Sequence, residues 1–206
     1  MILSVSRRTD IPAFYSEWFY NRIKEGNFLI RNPMNAHQVS RVNIRPDVVD
    51  CIVFWTKNPK PMLNGLDELS DYKYYFQFTI TGYGKEIEPH VPELSEVIDN
   101  FQTLSDKLDP NRVIWRYDPI IFTKDITPEY HLAKFREIAE GLYGYTHKCV
   151  ISFVDIYPTK NKSNMKDLLT MDISEDELNQ FAKKCLKLLR KMALGRRQRF
   201  PCSCLP

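Results

Sequence analysis

The sequence lacks the marks of membrane, metal and phosphate-loop proteins. No stretch approaches the roughly 20 apolar residues that span a bilayer, and the N-terminus MILSVSRRTD carries charge where a secretory signal must be apolar. A cytoplasmic protein with no membrane partner is expected. His37, His90, His131 and His147 show no H-x-x-x-H spacing, so each is expected at the surface and no metal site is assigned. The seven glycines form no phosphate loop, since Gly82-x-Gly84 is too short, and no Walker or G-x-S-x-G sequence occurs.

Cysteine is scarce and odd in number, with five at positions 51, 149, 185, 202 and 204. Cys51 and Cys149 open apolar runs and Cys185 falls on the apolar face of a helix, the usual setting of buried thiols. Cys202-x-Cys204 lacks the further ligands that a zinc or iron–sulfur site requires. The net charge of +3 is misleading as a sign of nucleic-acid binding. From Lys183 to the end there are eight basic residues and no acidic ones, which leaves 21 basic against 26 acidic before it. Cations near a helix C-terminus complement its dipole. The expected partner is therefore a small anionic substrate and not nucleic acid.

What the chain does contain is five short apolar runs that each end in polar residues: ILSVSRRTD, CIVFWTKNP, YFQFTITGYG, VIWRYDP and VISFVDIYP. Helical periodicity separates them. Phe14, Trp18, Phe19 and Ile23 recur after the first run, Leu94 to Leu108 after the third, and Leu132, Phe135, Ala139 and Leu142 after the fourth. Thr127-Pro128-Glu129 reads as an N-cap with proline at the first position, and Ser174-x-x-Glu177 as a capping box. FLIRNPMNAHQVSRVNI reads as a hairpin insertion after the first helix. Strands alternating with helices predict parallel pairing and right-handed crossovers. The expected fold is α/β, a partial β/α (TIM-like) barrel of about five parallel strands, or else an open sheet, over residues 1–194. GRRQRFPCSCLP offers no apolar run, so residues 195–206 are expected to be a basic, irregular tail.

Parallel folds build sites at the C-terminal ends of strands. The candidate catalytic residues there are Asp10, Lys57 and Asp118, with Arg7, Arg8, Asn58, Arg116 and Asp155 as candidate substrate-binding residues. Arginine offers planar donors for carboxylate or phosphate. Lys57 and Asn58 lie between a buried strand and a rigid Pro-x-Pro. Each candidate also has a structural reading: Asp10 can cap the helix near Pro12, and Arg116 with Asp118, two apart on a strand, can pair with each other. Asp155 lies within an apolar run, where a carboxylate needs a cation or donor. Thr79 and Thr81 share a face and can simply fill the interior, and Trp55 is better suited to core than to ligand stacking.

SRRTDIPAFY, FWTKNP, TIT, WRYDPI and SFVDIY, in this order from Met1 to about Leu194, resemble the bacterial family known as domain of unknown function 1848. The resemblance implies a full or partial β/α barrel and, in longer members, a C-terminal cysteine cluster similar to the iron–sulfur motif of radical S-adenosylmethionine enzymes. A 4Fe–4S cluster and S-adenosylmethionine are thus implied for full-length members only. This chain has no counterpart of that cluster, and its tail is expected to reflect truncation or a shifted reading frame. The functional expectation is a radical S-adenosylmethionine-like barrel with a strand-end anion site but no cluster ligands. Two alternatives stand beside it: a metal-free lyase or isomerase acting on an anionic metabolite, and an inactive remnant or binding module.

Overall fold

A computed structural model describes residues 1–5, 9–32, 34–154, 174–194 and 202–204. Arg7, Arg8 and Asp155 lie outside the described residues. The chain divides into two compact units, Met1–Phe78 and Thr79–Pro206.

In the first unit, β1 (Ile2–Val5) lies parallel to β4 (Cys51–Thr56), with Ile2 opposite Cys51 and Val5 opposite Phe54. β4 in turn pairs in parallel with β5 (Tyr74–Thr79). The uninterrupted apolar run of β4 is what burial on both faces demands: Ile52 and Phe54 are fully buried and Val53 nearly so. Phe54 stacks on Phe76 at 4.7 Å between ring centroids and meets Phe19 edge-on at 5.3 Å. Each such ring contributes roughly 1.5–3 kcal/mol by leaving water.

The predicted first helix is two helices. α1 (Ile11–Phe14) stops at Tyr15, and α2 (Ser16–Glu25) runs on to Gly26, which takes the left-handed conformation at φ 69° that only glycine adopts freely. This break overturns part of the sequence-based apolar stripe. Phe19, Tyr20 and Ile23 are buried, while Phe14 and Trp18 are exposed. The hairpin insertion is present as β2 (Asn27–Asn32) and β3 (Asn35–Asn43), antiparallel and paired only with each other. The crossover after β4 is a 3₁₀ helix, Lys60–Leu69.

In the second unit, β6 (Val113–Ile120) pairs in parallel with β7 (Cys149–Phe153). The helices are α3 (Leu94–Leu108), α4 (Pro128–Gly141) and α5 (Glu175–Leu194). Both predicted caps form: Thr127 Oγ1 accepts from the Tyr130 N–H at 3.3 Å, and Ser174 and Glu177 bond reciprocally. Trp115 stacks on Phe135 of α4 at 4.7 Å, and Phe122 meets Phe181 of α5 edge-on. Cys149 and Cys185 are buried thiols in no disulfide, as expected of small hydrophobic groups, and Cys51 is half-buried and likewise in no disulfide.

The expectation of an irregular tail is corrected at one place. Cys202–Cys204 forms β8, parallel to β7, with Cys149 opposite Cys202 and Ile151 opposite Cys204. Sheet pairing uses backbone groups, so a three-residue segment with little apolar content can still continue an existing edge. Five parallel strands alternating with helices were expected, and the described residues add this short sixth.

The first unit holds its 3₁₀ crossover through one buried contact. Tyr20 donates its hydroxyl proton to the Met62 carbonyl at 2.6 Å, and its ring lies where a Cβ on Gly65 would come within 2.4 Å. Gly65→Ala is expected to lower stability by about 1–3 kcal/mol through overpacking, seen as a reduced denaturant midpoint with an unchanged m-value. An unaltered midpoint would show that Tyr20 is free to move aside.

Candidate functional site

At the start of α1, Asp10 collects polar groups from α1 and from the end of β4. Its Oδ1 accepts from the Ala13 N–H at 3.0 Å and so caps α1. Its Oδ2 accepts from the Thr56 hydroxyl at 3.0 Å and the Lys57 N–H at 2.7 Å. Thr56 Oγ1 accepts in turn from the Asn58 N–H at 3.0 Å, and Asn58 Oδ1 from the Lys60 N–H at 3.2 Å. One carboxylate thereby ties the start of α1 to the end of β4 and fixes the backbone that carries Lys57 and Asn58. Burial raises the Asp10 carboxyl above its ordinary value, outweighing the donors from Lys57, Thr56 and Ala13 that favour ionisation. With three acceptor positions occupied, Asp10 positions the loop.

In the second unit, Arg116 is 7% exposed and donates through Nε to Asp118 Oδ2 at 3.1 Å, with Nη2 on the same oxygen. The self-pairing open to these two residues from sequence is thus the arrangement found. The Arg116 carbonyl accepts from the Ile80 N–H at 3.0 Å. Thr81, also buried, donates to the Glu88 carboxylate, whose oxygens lie at 2.9 and 3.0 Å. Thr79, Thr81, Tyr83 and Glu88 border a cavity of about 20 Å³, enough for one water.

The end of β6 is secured by residues that sequence reasoning did not single out. The register with β7 shifts between Tyr117 and Ile120, which leaves backbone groups outside the ladder. Tyr83 supplies partners for two of them: its hydroxyl donates to the Pro119 carbonyl at 2.7 Å and accepts from the Ile121 N–H at 2.8 Å. His131 takes the next. Its Nε2 lies 2.9 Å from the Ile121 carbonyl, and since a carbonyl only accepts, that nitrogen carries the proton. Nδ1 therefore accepts from the Tyr117 hydroxyl at 2.7 Å.

The surface placement expected for His131 is wrong, for it is 1% exposed. The signal was present in the spacing, because His131, Phe135, Ile138 and Leu142 mark one buried face of α4. Tyr83 left no such trace, lying between two glycines in a loop. Burial also raises the Tyr83 and Tyr117 phenols well above their ordinary value.

Among the described residues, no group of three or more His, Cys, Asp or Glu side chains could hold a metal ion. Cys202-x-Cys204 is the closest spacing in the sequence. The described donor set does not fit a 4Fe–4S cluster, and no step is assigned to one. No helix among the described residues is long and apolar enough to cross a membrane.

The fold and its strand-end clusters define an α/β protein of the partial β/α-barrel class. It is similar to a solved structure of mutant spore photoproduct lyase with bound AdoMet and dinucleoside spore photoproduct, with a TM-score of 0.56 and 13% identity. That likeness covers 99% of this chain and 60% of the other, so the chain spans less than two thirds of its structural neighbour. The particular family follows from sequence: the pattern described as Domain of unknown function (DUF1848) matches residues 2–203, and the chain belongs to that family. No curated protein matches the chain. The family match passes the expected limit near Leu194 and takes in most of the tail, including the first two residues of β8.

Burial lowers the His131 pKa below its ordinary 6.5, opposed only by its bond to Ile121. The unfolded chain then binds a proton that the folded chain resists. Stability from this group is complete above about pH 6.5 and falls as pH drops toward the folded value. A plot of melting temperature against pH is expected to decline from about pH 7 to 5, and His131→Phe to flatten that slope. An identical slope in the variant would place the titration elsewhere.

Proposed function

We propose that this chain is the substrate-holding portion of a radical S-adenosylmethionine-type β/α-barrel enzyme acting on a small anionic substrate. The observation that carries the reading is the fixed loop after β4, where Asp10 and Thr56 hold the backbone of Lys57 and Asn58 at a strand end. A cation on such a pre-set backbone loses little freedom on binding an anion. The likeness to an AdoMet-bound lyase supports the class of enzyme.

In this reading Lys57 is the anion contact and Asn58 orients it, with Asp10 as a positioning residue. In the second unit, Arg116, paired with Asp118, keeps its proposed substrate-binding role. Arg7, Arg8 and Asp155 keep their proposed substrate roles on sequence grounds alone. S-adenosylmethionine and a cluster belong to the reading of longer family members, and for this chain the account stops at holding the substrate.

Orthophosphate, pyrophosphate and citrate serve as stand-in anions. At about 100 times its dissociation constant, a bound anion adds about 2.7 kcal/mol, so the melting temperature is expected to rise with anion concentration. Lys57→Ala is expected to abolish that rise while moving the anion-free stability by less than about 0.5 kcal/mol. No anion-dependent rise in the parent chain, or an undiminished one in Lys57→Ala, would refute the assignment.

A further inference from the structure

The hairpin of β2 and β3 stands apart from every other element in its surface chemistry. Residues 26–46 contain Arg31, Arg41, Arg45 and His37 and not one carboxylate, although acidic residues outnumber basic ones over the first 182. Leu29 is 66% exposed, Ile30 40%, Met34 93% and Val39 49%. Among the described residues, every large apolar side chain recorded as exposed falls within residues 1–39. Net charge and mean hydropathy conceal this local surface.

The register shows how these side chains are arranged. Leu29 stands opposite Arg41 and Arg31 opposite Val39. Directly opposed residues share a face, as do alternate residues of one strand. Leu29, Arg31, Val39 and Arg41 therefore occupy one face, all of them exposed, with the two arginines on a diagonal. The opposite face carries Phe28, which meets Trp18 of α2 edge-on at 6.2 Å. One face is thus anchored to the unit, and among the described residues nothing covers the other.

This exposed face is also held in shape. The Asn32 Nδ2 donates to Gln38 Oε1 at 2.6 Å across the strands, and Asn32 Oδ1 accepts from the Met34 N–H at 2.9 Å. Arg41 donates through Nε to Asn27 Oδ1 at 2.9 Å, which orients its guanidinium. Arg45, by contrast, is neutralised by Asp47 at 3.1 Å. An isolated two-stranded ribbon is marginal in water, so its amide locks maintain a surface that folding alone does not reward.

We infer that the Leu29–Arg31–Val39–Arg41 face binds single-stranded nucleic acid, the arginines contacting phosphates and the aliphatic side chains lying against bases. Charge complementarity requires an anionic partner, and a second copy of the same arginine face would repel. Guanidinium and aliphatic groups interleave row by row, which suits a ligand that alternates phosphates with flat apolar bases. A membrane-inserting hairpin would instead gather several apolar groups at the tip, where this one sets a single exposed Met34 among Asn32, Asn35, His37 and Gln38. The inference stands independently of the strand-end anion site and departs from the sequence-based expectation of no nucleic-acid partner.

Fluorescence anisotropy of the full chain with a labelled oligothymidylate of about 20 nucleotides tests it. Binding is expected to weaken steeply with salt, by about 0.7 in logarithmic slope for each phosphate contacted. Arg31→Ala with Arg41→Ala is expected to weaken binding at least about tenfold and reduce the slope by about 1.4. Lys187→Ala with Lys191→Ala, which removes the same charge from α5, is expected to leave binding within about twofold of the parent. Equal losses in the two double variants, no binding by the parent, or equal affinity for polyglutamate or phosphatidylserine vesicles would each overturn the proposal.

Discussion

Where a parallel strand stops, its last N–H and C=O groups lose their ladder partners, and leaving them buried and unpaired costs about 1–3 kcal/mol each. This requirement governs the parts of the structure that matter most for function. After β4 the remedy is the Asp10 carboxylate, which accepts from Thr56 and Lys57 there and from Ala13 at the start of α1. After β6 it is the Tyr83 hydroxyl and the His131 ring, which together satisfy the Pro119 carbonyl and both backbone groups of Ile121. A carboxylate serves where backbone donors converge, and a phenol or neutral imidazole where donor and acceptor must both be met.

This division explains how much of the protein was legible in its sequence. The strands and helices were readable because they rest on periodicity and caps: CIVFW could only be a doubly buried strand, and Thr127-Pro128 and Ser174-x-x-Glu177 start helices where they fall. The candidate site was harder to read, since polar residues at strand ends serve ligands and backbone alike. Asp10 proved to be a tether and Arg116 with Asp118 a pair. His131 was misjudged because spacing rules look for metal ligands and overlook a histidine that replaces a missing ladder bond. The break between α1 and α2 was missed because the apolar spacing from Phe14 to Ile23 continues across Tyr15, where the helix stops.

Two surfaces of different character follow from these constraints. The strand-end loop is a small, pre-set feature built on buried bonds, suited to a compact anion. The β2–β3 hairpin is an extended, carboxylate-free ribbon suited to a long anionic partner. The likeness to an AdoMet-bound lyase and membership of the DUF1848 family frame both without assigning a reaction to this chain. The continuation of the sheet into Cys202–Cys204 shows that the family pattern and the fold run together past the last helix.

The central claim is that Asp10 and Thr56 act as one unit in joining the start of α1 to the end of β4. A double-mutant cycle on Asp10→Ala and Thr56→Val, read by urea unfolding, measures this directly. The account predicts a coupling of about 1 kcal/mol or more, since each single change removes the hydrogen bond that the two groups share. Free energies that add within about 0.3 kcal/mol would contradict it.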